Sequence, residues 1–185
     1  MRPYYEKLKQ KRGSLIVKRM FDIVVSLGML ILLSWLFLIL AIAIKVDSHG
    51  PVFYRQVRVT KGNQDFRIFK FRTMVNNADK IGSLVTTGND ARITRVGAKI
   101  RKCRLDEIPQ LLNILKGEMS FVGTRPEVRK YVDRYTDEMM ATLLMPAGVT
   151  SLASISFKDE DEVLDSYMQN GMSLDCLLYT SWRFR

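Results

Sequence analysis

Cysteine and histidine are nearly missing from this 185-residue chain, which holds only Cys103, Cys176 and His49. Two distant cysteines and one histidine assemble neither a Cys/His zinc site nor a disulfide framework, and reduced thiols fit the cytoplasm. No G-x-G-x-x-G and no G-x-x-x-x-G-K-[ST] occurs, so dinucleotide binding and Walker-type ATP hydrolysis have no support. Within 185 residues a second catalytic domain is not expected. No internal repeat or low-complexity tract interrupts the globular part.

What is present folds: 47% of residues are hydrophobic and 26% charged, unlike a disordered chain or a polytopic membrane protein. The net charge of +10 is uneven. Residues 1–45 hold 8 Lys+Arg and 2 Asp+Glu, residues 46–105 hold 13 and 4, and residues 106–185 hold 8 and 13. A basic front two thirds seeks polyanions: anionic lipid headgroups, phosphate-bearing substrates or nucleic acid.

From Ile23 to Ile44 run 22 residues without a charge or a proline. As a helix the run would be about 33 Å long, enough to span a bilayer. It is longer than a signal-peptide core and no small-residue cleavage site follows, so it reads as a retained anchor. Both flanks are basic, from Arg2 to Arg19 before it and from Lys45 to Arg72 after it. Positive flanks prefer the cytoplasmic side. A re-entrant hairpin, with arms Ile23–Leu33 and Trp35–Ile44, satisfies both ends and is favoured slightly over a spanning helix. Its break falls at Ser34, whose hydroxyl is expected to bond the preceding carbonyls. Asp22, beside Lys18 and Arg19, reads as a neutralised boundary residue.

After the Gly50-Pro51 turn, Val52–Val59 and Phe66–Met74 read as two strands joined by a Gly-containing loop. Alternation places Lys70 and Arg72 on one face and Phe69 and Phe71 on the other. That cationic face is either solvated or binds anions. Arg92, Arg95, Lys99, Arg101, Lys102 and Arg104 then crowd six cations into thirteen positions, again either a solvated or membrane-facing surface or an anion site.

In LDEIPQLLNILKG, Ile108, Leu111, Leu112 and Leu115 share one helix face, and Lys116-Gly117 supplies a last-turn cation and a stop. The helix is expected to begin near Asp106 to Pro109, putting Asp106 and Glu107 at a positive helix end where both stay ionised. An ordinary N-cap Asp with a first-turn Glu is the commoner reading of the same pattern. Gly123 and Arg125-Pro126 fix an irregular loop with Arg125 as a phosphate fork. Residues 128–143 suggest a further amphipathic helix, with core packing its expected job.

Several ordered blocks carry a resemblance: Lys18-Arg19-x-Phe21-Asp22, Gly50-Pro51-Val52-Phe53-Tyr54-Arg55-Gln56, Lys70-Phe71-Arg72-Thr73-Met74, Leu105-Asp106-Glu107-Ile108-Pro109-Gln110-Leu111 and Lys116 to Pro126. Over roughly residues 15–160 the chain resembles the bacterial sugar transferases, the monotopic polyprenyl-phosphate glycosyl-1-phosphate transferases. Where that family usually has Ser-Pro at the membrane break, this chain has Ser34-Trp35. Where it usually has Gly-Pro-Arg-Pro, this chain has Gly123-Thr124-Arg125-Pro126, and the arginine stays.

The resemblance implies transfer of a sugar 1-phosphate from a nucleotide diphosphosugar, usually UDP-linked, to undecaprenyl phosphate, with release of UMP and initiation of a capsule, exopolysaccharide or O-antigen glycan. It implies that Asp106 is the nucleophile of a covalent phosphosugar intermediate, that Glu107 helps hold Mg²⁺, and that the anchor is re-entrant. Phosphoryl transfer to a carboxylate needs charge neutralisation, for which Lys70, Arg101 and Arg125 are the available cations.

The expected architecture is α+β and monotopic. A basic amphipathic segment (1–19) leads into a re-entrant anchor (20–46), a cytoplasmic catalytic domain of helices with a short β-hairpin (47–160) and a divergent or truncated C-terminal segment (161–185). Expected partners are the nucleotide diphosphosugar, undecaprenyl phosphate and an anionic phospholipid membrane, not nucleic acid; a homodimer is left open. The expected location is the bacterial inner membrane, with the catalytic domain facing the cytoplasm. Two other readings compete: a membrane-tethered nucleic-acid binder using the Arg92–Arg104 run, and a non-catalytic scaffold. Asp159-Glu160-Asp161 matches the Asp-x-Asp of metal-dependent glycosyltransferases by three letters only.

Overall fold

A computed structural model of the chain describes residues 2–78 and 90–151. Three helices open it: α1 (Arg2–Gln10), α2 (Arg12–Leu32) and α3 (Ser34–Asp47). Strands β1 (Phe53–Thr60) and β2 (Gln64–Phe71) follow, then α4 (Arg95–Lys102), α5 (Gln110–Lys116), β3 (Met119–Val122), α6 (Arg129–Val132) and β4 (Ala147–Thr150). The chain is therefore α+β. The expected C-terminal segment 161–185 and the Asp159–Asp161 triplet lie outside the described residues.

No single helix among the described residues is long and apolar enough to cross a membrane, but α2 and α3 together are, bent by 61°. The bend is made by the backbone of Leu33 (φ −93°, ψ 6°), not by Ser34. The break leaves few orphans, because Leu33 N–H donates to Met29 O at 2.9 Å and Phe37 N–H donates to Leu33 O at 2.9 Å. Ser34 starts the second arm.

The two sides of α2 have opposite chemistry. Val17, Met20, Phe21, Val24, Leu27 and Ile31 are exposed, and α3 continues the stripe with Trp35, Leu38, Ile42 and Val46. The other side carries Arg19, Asp22, Ser26 and Leu30, spaced as one helical face that docks on the rest of the molecule. Asp22 is no boundary residue: it is 3% exposed and accepts from the Ser120 hydroxyl (2.8 Å) and the Phe121 amide (3.3 Å). Lys18 donates to the Ser120 hydroxyl at 2.6 Å and to Val122 O at 2.7 Å. Arg19 donates to Ile114 O and Leu115 O, capping the last carbonyls of α5. At the other end Asp47 accepts the Val96 amide at 2.9 Å, at the start of α4. That bond, with the Thr94 hydroxyl, pulls the Asp47 carboxyl below its ordinary value.

The antiparallel hairpin pairs Phe53 with Phe71 through Thr60 with Gln64. Its last rung is Arg72 N–H to Val52 O, and Pro51 has no N–H with which to extend it. The second strand therefore stops at Phe71, short of the expected Met74. The hairpin is a middle layer between two cores. Phe66 and Ile68 pack with Leu111, Ile114, Met119 and Ala147, while Phe71 packs with Leu40, Ile44 and Ile100. The side chain of Asn113 covers the free edge of β2, accepting the Phe69 amide (2.8 Å) and donating to Arg67 O (2.9 Å).

Two further differences have local causes. The helix expected over 128–143 shrinks to the four residues of α6 and a 3-10 segment, Met139–Leu144. Thr136 accepts the Met139 amide and so begins a new element instead of continuing the old one. A second sheet, not foreseen, joins β3 and β4 in parallel. It closes tightly at Gly123 and Gly148: a Cβ on Gly148 would lie 2.1 Å from Gly123 N, so neither position has room for a side chain.

Candidate active site

Arg104 adopts left-handed backbone angles (φ 53°, ψ 24°), unusual for a residue with a Cβ, and turns the chain sharply after α4. A 3-10 turn, Leu105–Glu107, follows. Pro109 has no N–H to give the Leu105 carbonyl, which instead accepts from Ile108 at 3.3 Å, so the α-helical ladder starts only at Gln110. Asp106 and Glu107 thus precede α5 in a tight turn, a correction to their expected place at the helix end. The stop at Gly117 (φ 88°) is where it was expected.

The register of the hairpin brings one face to this turn. Tyr54, Gln56 and Arg58 of β1 alternate onto the same face as Lys70, which lies across from Tyr54. Lys70 Nζ donates to Glu107 Oε1 at 2.7 Å, and both side chains are 24% exposed. Arg72, expected beside Lys70, instead points away and binds Ser48 O and His49 O, tying the turn after α3 to the domain. On the opposite face Arg55 and Lys116 lie 4.5 and 4.7 Å from the Phe69 ring centre.

The two carboxyls differ in their surroundings. Burial pushes Asp106 above its ordinary value; Lys70 and Arg101 pull it back and the charge of Glu107 adds to the rise. Burial also pushes Glu107 up, but Lys70, Arg125 and Arg104 outweigh it and hold Glu107 below its ordinary value. The sequence pattern had both stabilised as anions, which holds for Glu107 and not for Asp106. A helix end would have offered its dipole, whereas the turn offers mainly burial.

Lys70 contacts Glu107 directly, while Arg101 acts on Asp106 and Arg125 on Glu107 through their charge. Ser34 is part of the bent pair and not of this cluster. Arg125 follows the Gly123–Gly148 contact, where Gly148 N–H donates to Thr124 O at 2.8 Å and sets the loop's exit. The Arg92–Arg104 run splits: Arg92 is committed to Asp90, which it draws down to about 2, while the charge of Arg101 reaches Asp106. Arg58, which the sequence reading did not single out, shares the face of Lys70, as strand alternation together with the hairpin register would have shown.

Asp106 and Glu107 supply hard oxygen donors beside a cationic wall, and Glu107 keeps Oε2 outside its bond to Lys70. This donor set suits Mg²⁺, which takes one or two carboxylates and completes its shell with water and substrate phosphates. The arrangement has what a phosphoryl-transfer site requires: a half-buried carboxylate, an ionised neighbour, and cations able to offset phosphate charge.

A family model described as bacterial sugar transferase matches residues 13–185. The chain is 48% identical over 142 residues to a UDP-N-acetylgalactosamine-undecaprenyl-phosphate N-acetylgalactosaminephosphotransferase of Aeromonas hydrophila, covering 75% of this chain and 34% of that protein. It is 37% identical over 175 residues to a UDP-glucose:undecaprenyl-phosphate glucose-1-phosphate transferase of Klebsiella pneumoniae, covering 91% and 37%. A putative undecaprenyl-phosphate N-acetylgalactosaminyl 1-phosphate transferase of Bacillus subtilis is 39% identical over 125 residues, covering 68% and 70%. The matches thus span about a third of the length of the first two relatives.

Proposed function

The chain belongs to the bacterial sugar transferases, and from that premise we propose that it moves a sugar 1-phosphate from a UDP-linked sugar to undecaprenyl phosphate through Asp106. The observation that carries this reading is the half-buried Asp106–Glu107 pair set against Lys70, with Arg101 and Arg125 in electrostatic reach.

In the first half-reaction an Asp106 carboxylate oxygen attacks the sugar-bearing phosphorus. The bond from that phosphorus to the bridging oxygen breaks, and UMP leaves with the oxygen and its electron pair. In the second half-reaction an oxygen of undecaprenyl phosphate attacks the same phosphorus, the aspartyl bond breaks, and the carboxylate is regenerated. One site thus serves a soluble donor and a lipid acceptor in turn. Lys70 holds Glu107 ionised and in place. Arg101 and Arg125 offset the diphosphate charge that would otherwise repel the nucleophile. Glu107, with Asp106 beside it, would hold Mg²⁺, which supplies phosphate charge neutralisation and leaving-group stabilisation.

Incubation with a panel of UDP-sugars, undecaprenyl phosphate and Mg²⁺ is expected to release UMP with at least one donor, and EDTA to stop the release. Folded, lipid-supplied protein that releases no UMP with any donor would refute the assignment.

The anchor belongs to the same proposal. The bent pair α2–α3 enters and leaves the bilayer on the cytoplasmic side, its apolar stripe in lipid and its Arg19–Asp22–Ser26 face on the catalytic domain. The basic flanks on both ends support this orientation, as does docking of both arms on a single domain. Single cysteines at Ser14 and Ser48, in a background lacking Cys103 and Cys176, should both be labelled only from the cytoplasmic side. Labelling from opposite sides would rule out the re-entrant arrangement.

A further inference from the structure

Arg58 is a half-buried cation whose side-chain bonds all go to neutral acceptors. Its Nε and Nη2 both donate to Gln56 Oε1, at 3.1 and 2.7 Å, and Nη1 donates to the Pro126 carbonyl at 3.1 Å. Both acceptors are uncharged. Among the described residues Arg58 forms no ion pair, unlike Lys70, Arg92 and Arg129. A guanidinium offers five N–H donors in a planar fork, so these three bonds leave two uncommitted.

Holding a charge half-desolvated with no carboxylate bonded to it is costly. Burial lowers the Arg58 pKa, and the nearby Arg125 adds to the effect while Glu127, Tyr54 and Glu107 oppose it. A clamp needed only for packing would be made at lower cost by a neutral side chain. The position of Arg58 accounts for the charge. It lies on the hairpin face that presents Lys70 to Glu107, and its Nη1 holds the carbonyl of the residue directly after Arg125. Val59 N–H, from the next residue, donates to Glu127 O at 2.9 Å, so β1 grips this loop at two successive carbonyls.

We propose that Arg58 is a positioning residue of the transfer site, fixing the Arg125 loop through Pro126 while its charge adds to the face that receives the donor's diphosphate. This rests on the phosphosugar-transfer reading for the identity of the anion. Gln56 is the orienting partner: its amide oxygen holds two edges of the guanidinium and so keeps Nη1 aimed at Pro126.

The test compares Arg58→Gln, Arg58→Lys, Gln56→Leu and, as a surface control, Arg67→Gln, each in lipid and each checked by its thermal unfolding midpoint. Donor KM is expected to rise about tenfold or more in Arg58→Gln and Gln56→Leu, with a smaller fall in kcat. Arg58→Lys, which keeps the charge but not the fork, should fall between these and the wild type, and Arg67→Gln should match the wild type. Methylguanidinium is expected to recover part of the activity of Arg58→Ala. Binding of inorganic pyrophosphate with Mg²⁺, measured by calorimetry, reads the same role without turnover and should weaken by about tenfold in Arg58→Gln.

Unchanged KM and pyrophosphate affinity in both Arg58→Gln and Gln56→Leu would overturn the proposal. So would a loss accounted for entirely by the unfolded fraction and not relieved by methylguanidinium. If the wild type turns over no UDP-sugar, the transfer reading falls, and the pyrophosphate measurement still decides the role of Arg58.

Discussion

Asp106→Asn is expected to abolish the covalent phosphosugar adduct and lower UMP release by at least about a thousandfold, while raising the melting temperature at neutral pH. The first effect follows from the chemistry. An amide cannot form the ester to phosphorus, and no other carboxylate occupies the same place, since Glu107 is held by Lys70. The second follows from linkage. Burial raises the folded-state pKa of Asp106 above its ordinary value of 3.8. Between the unfolded and the folded pKa the native state binds more protons than the unfolded state, so stability falls as pH rises through that window. Above it, at neutral pH, the full cost of the buried anion is present.

An isosteric neutral asparagine removes most of that cost, so the melting advantage of Asp106→Asn should be largest near pH 7 and shrink as the pH drops toward 4. Intact-mass analysis after incubation with donor, paired with melting curves across pH, checks both halves. An adduct on the variant would remove Asp106 from its role. A variant less stable than wild type at pH 7 would mean that the carboxylate is held by favourable partners, not by a costly cavity. Wild-type UMP release by the variant would place the nucleophile elsewhere in the chain.

Asp22→Leu should destabilise the chain by about 2–4 kcal/mol and loosen the anchor from the domain. Asp22 accepts from the Ser120 hydroxyl and the Phe121 amide, and Lys18 completes the line by donating to that same hydroxyl. Leucine fills the volume but accepts nothing, so the Phe121 amide and the Ser120 hydroxyl lose a buried acceptor. Lys18 loses the carboxylate that its charge reaches through Ser120. The expected signs are a lower unfolding midpoint in lipid and new proteolytic cleavage between α3 and β1. On the proposed re-entrant arrangement activity should fall as well, because α2 would set the height of Asp106 above the lipid. A leucine variant as stable and protease-resistant as wild type would show that the apolar contacts of α2 hold the domain by themselves.

Several features were legible in the sequence because short-range chemistry fixes them. The uncharged run and its basic flanks, the hairpin around Gly62, the helix face of Leu111 and the stop at Gly117 all follow from periodicity and turn chemistry within about a dozen residues. Lys70, Asp106, Glu107 and Arg125 were legible as a set through the resemblance, and the structure brings them together. The helix start failed because Pro109 and the left-handed Arg104 act on hydrogen bonds, which a hydrophobic pattern does not register. The long helix after Val128 failed because Thr136 offers the backbone a competing bond. The break at Ser34 was placed one residue late, since the backbone of Leu33 makes the bend without any side-chain partner.

The sequence by itself determined that this chain has an uncharged apolar run between basic flanks and an Asp-Glu pair followed by a short helix. It determined these because each is a local pattern of side-chain type and spacing. Only the tertiary structure decided that Asp22 pins the anchor to Ser120, 98 residues away, that Asp106 is the disfavoured anion of the pair, and that Arg58 grips the loop bearing Arg125. Burial and long-range pairing are properties of the packed chain: the same carboxylate is stabilised or penalised according to which distant groups topology brings beside it.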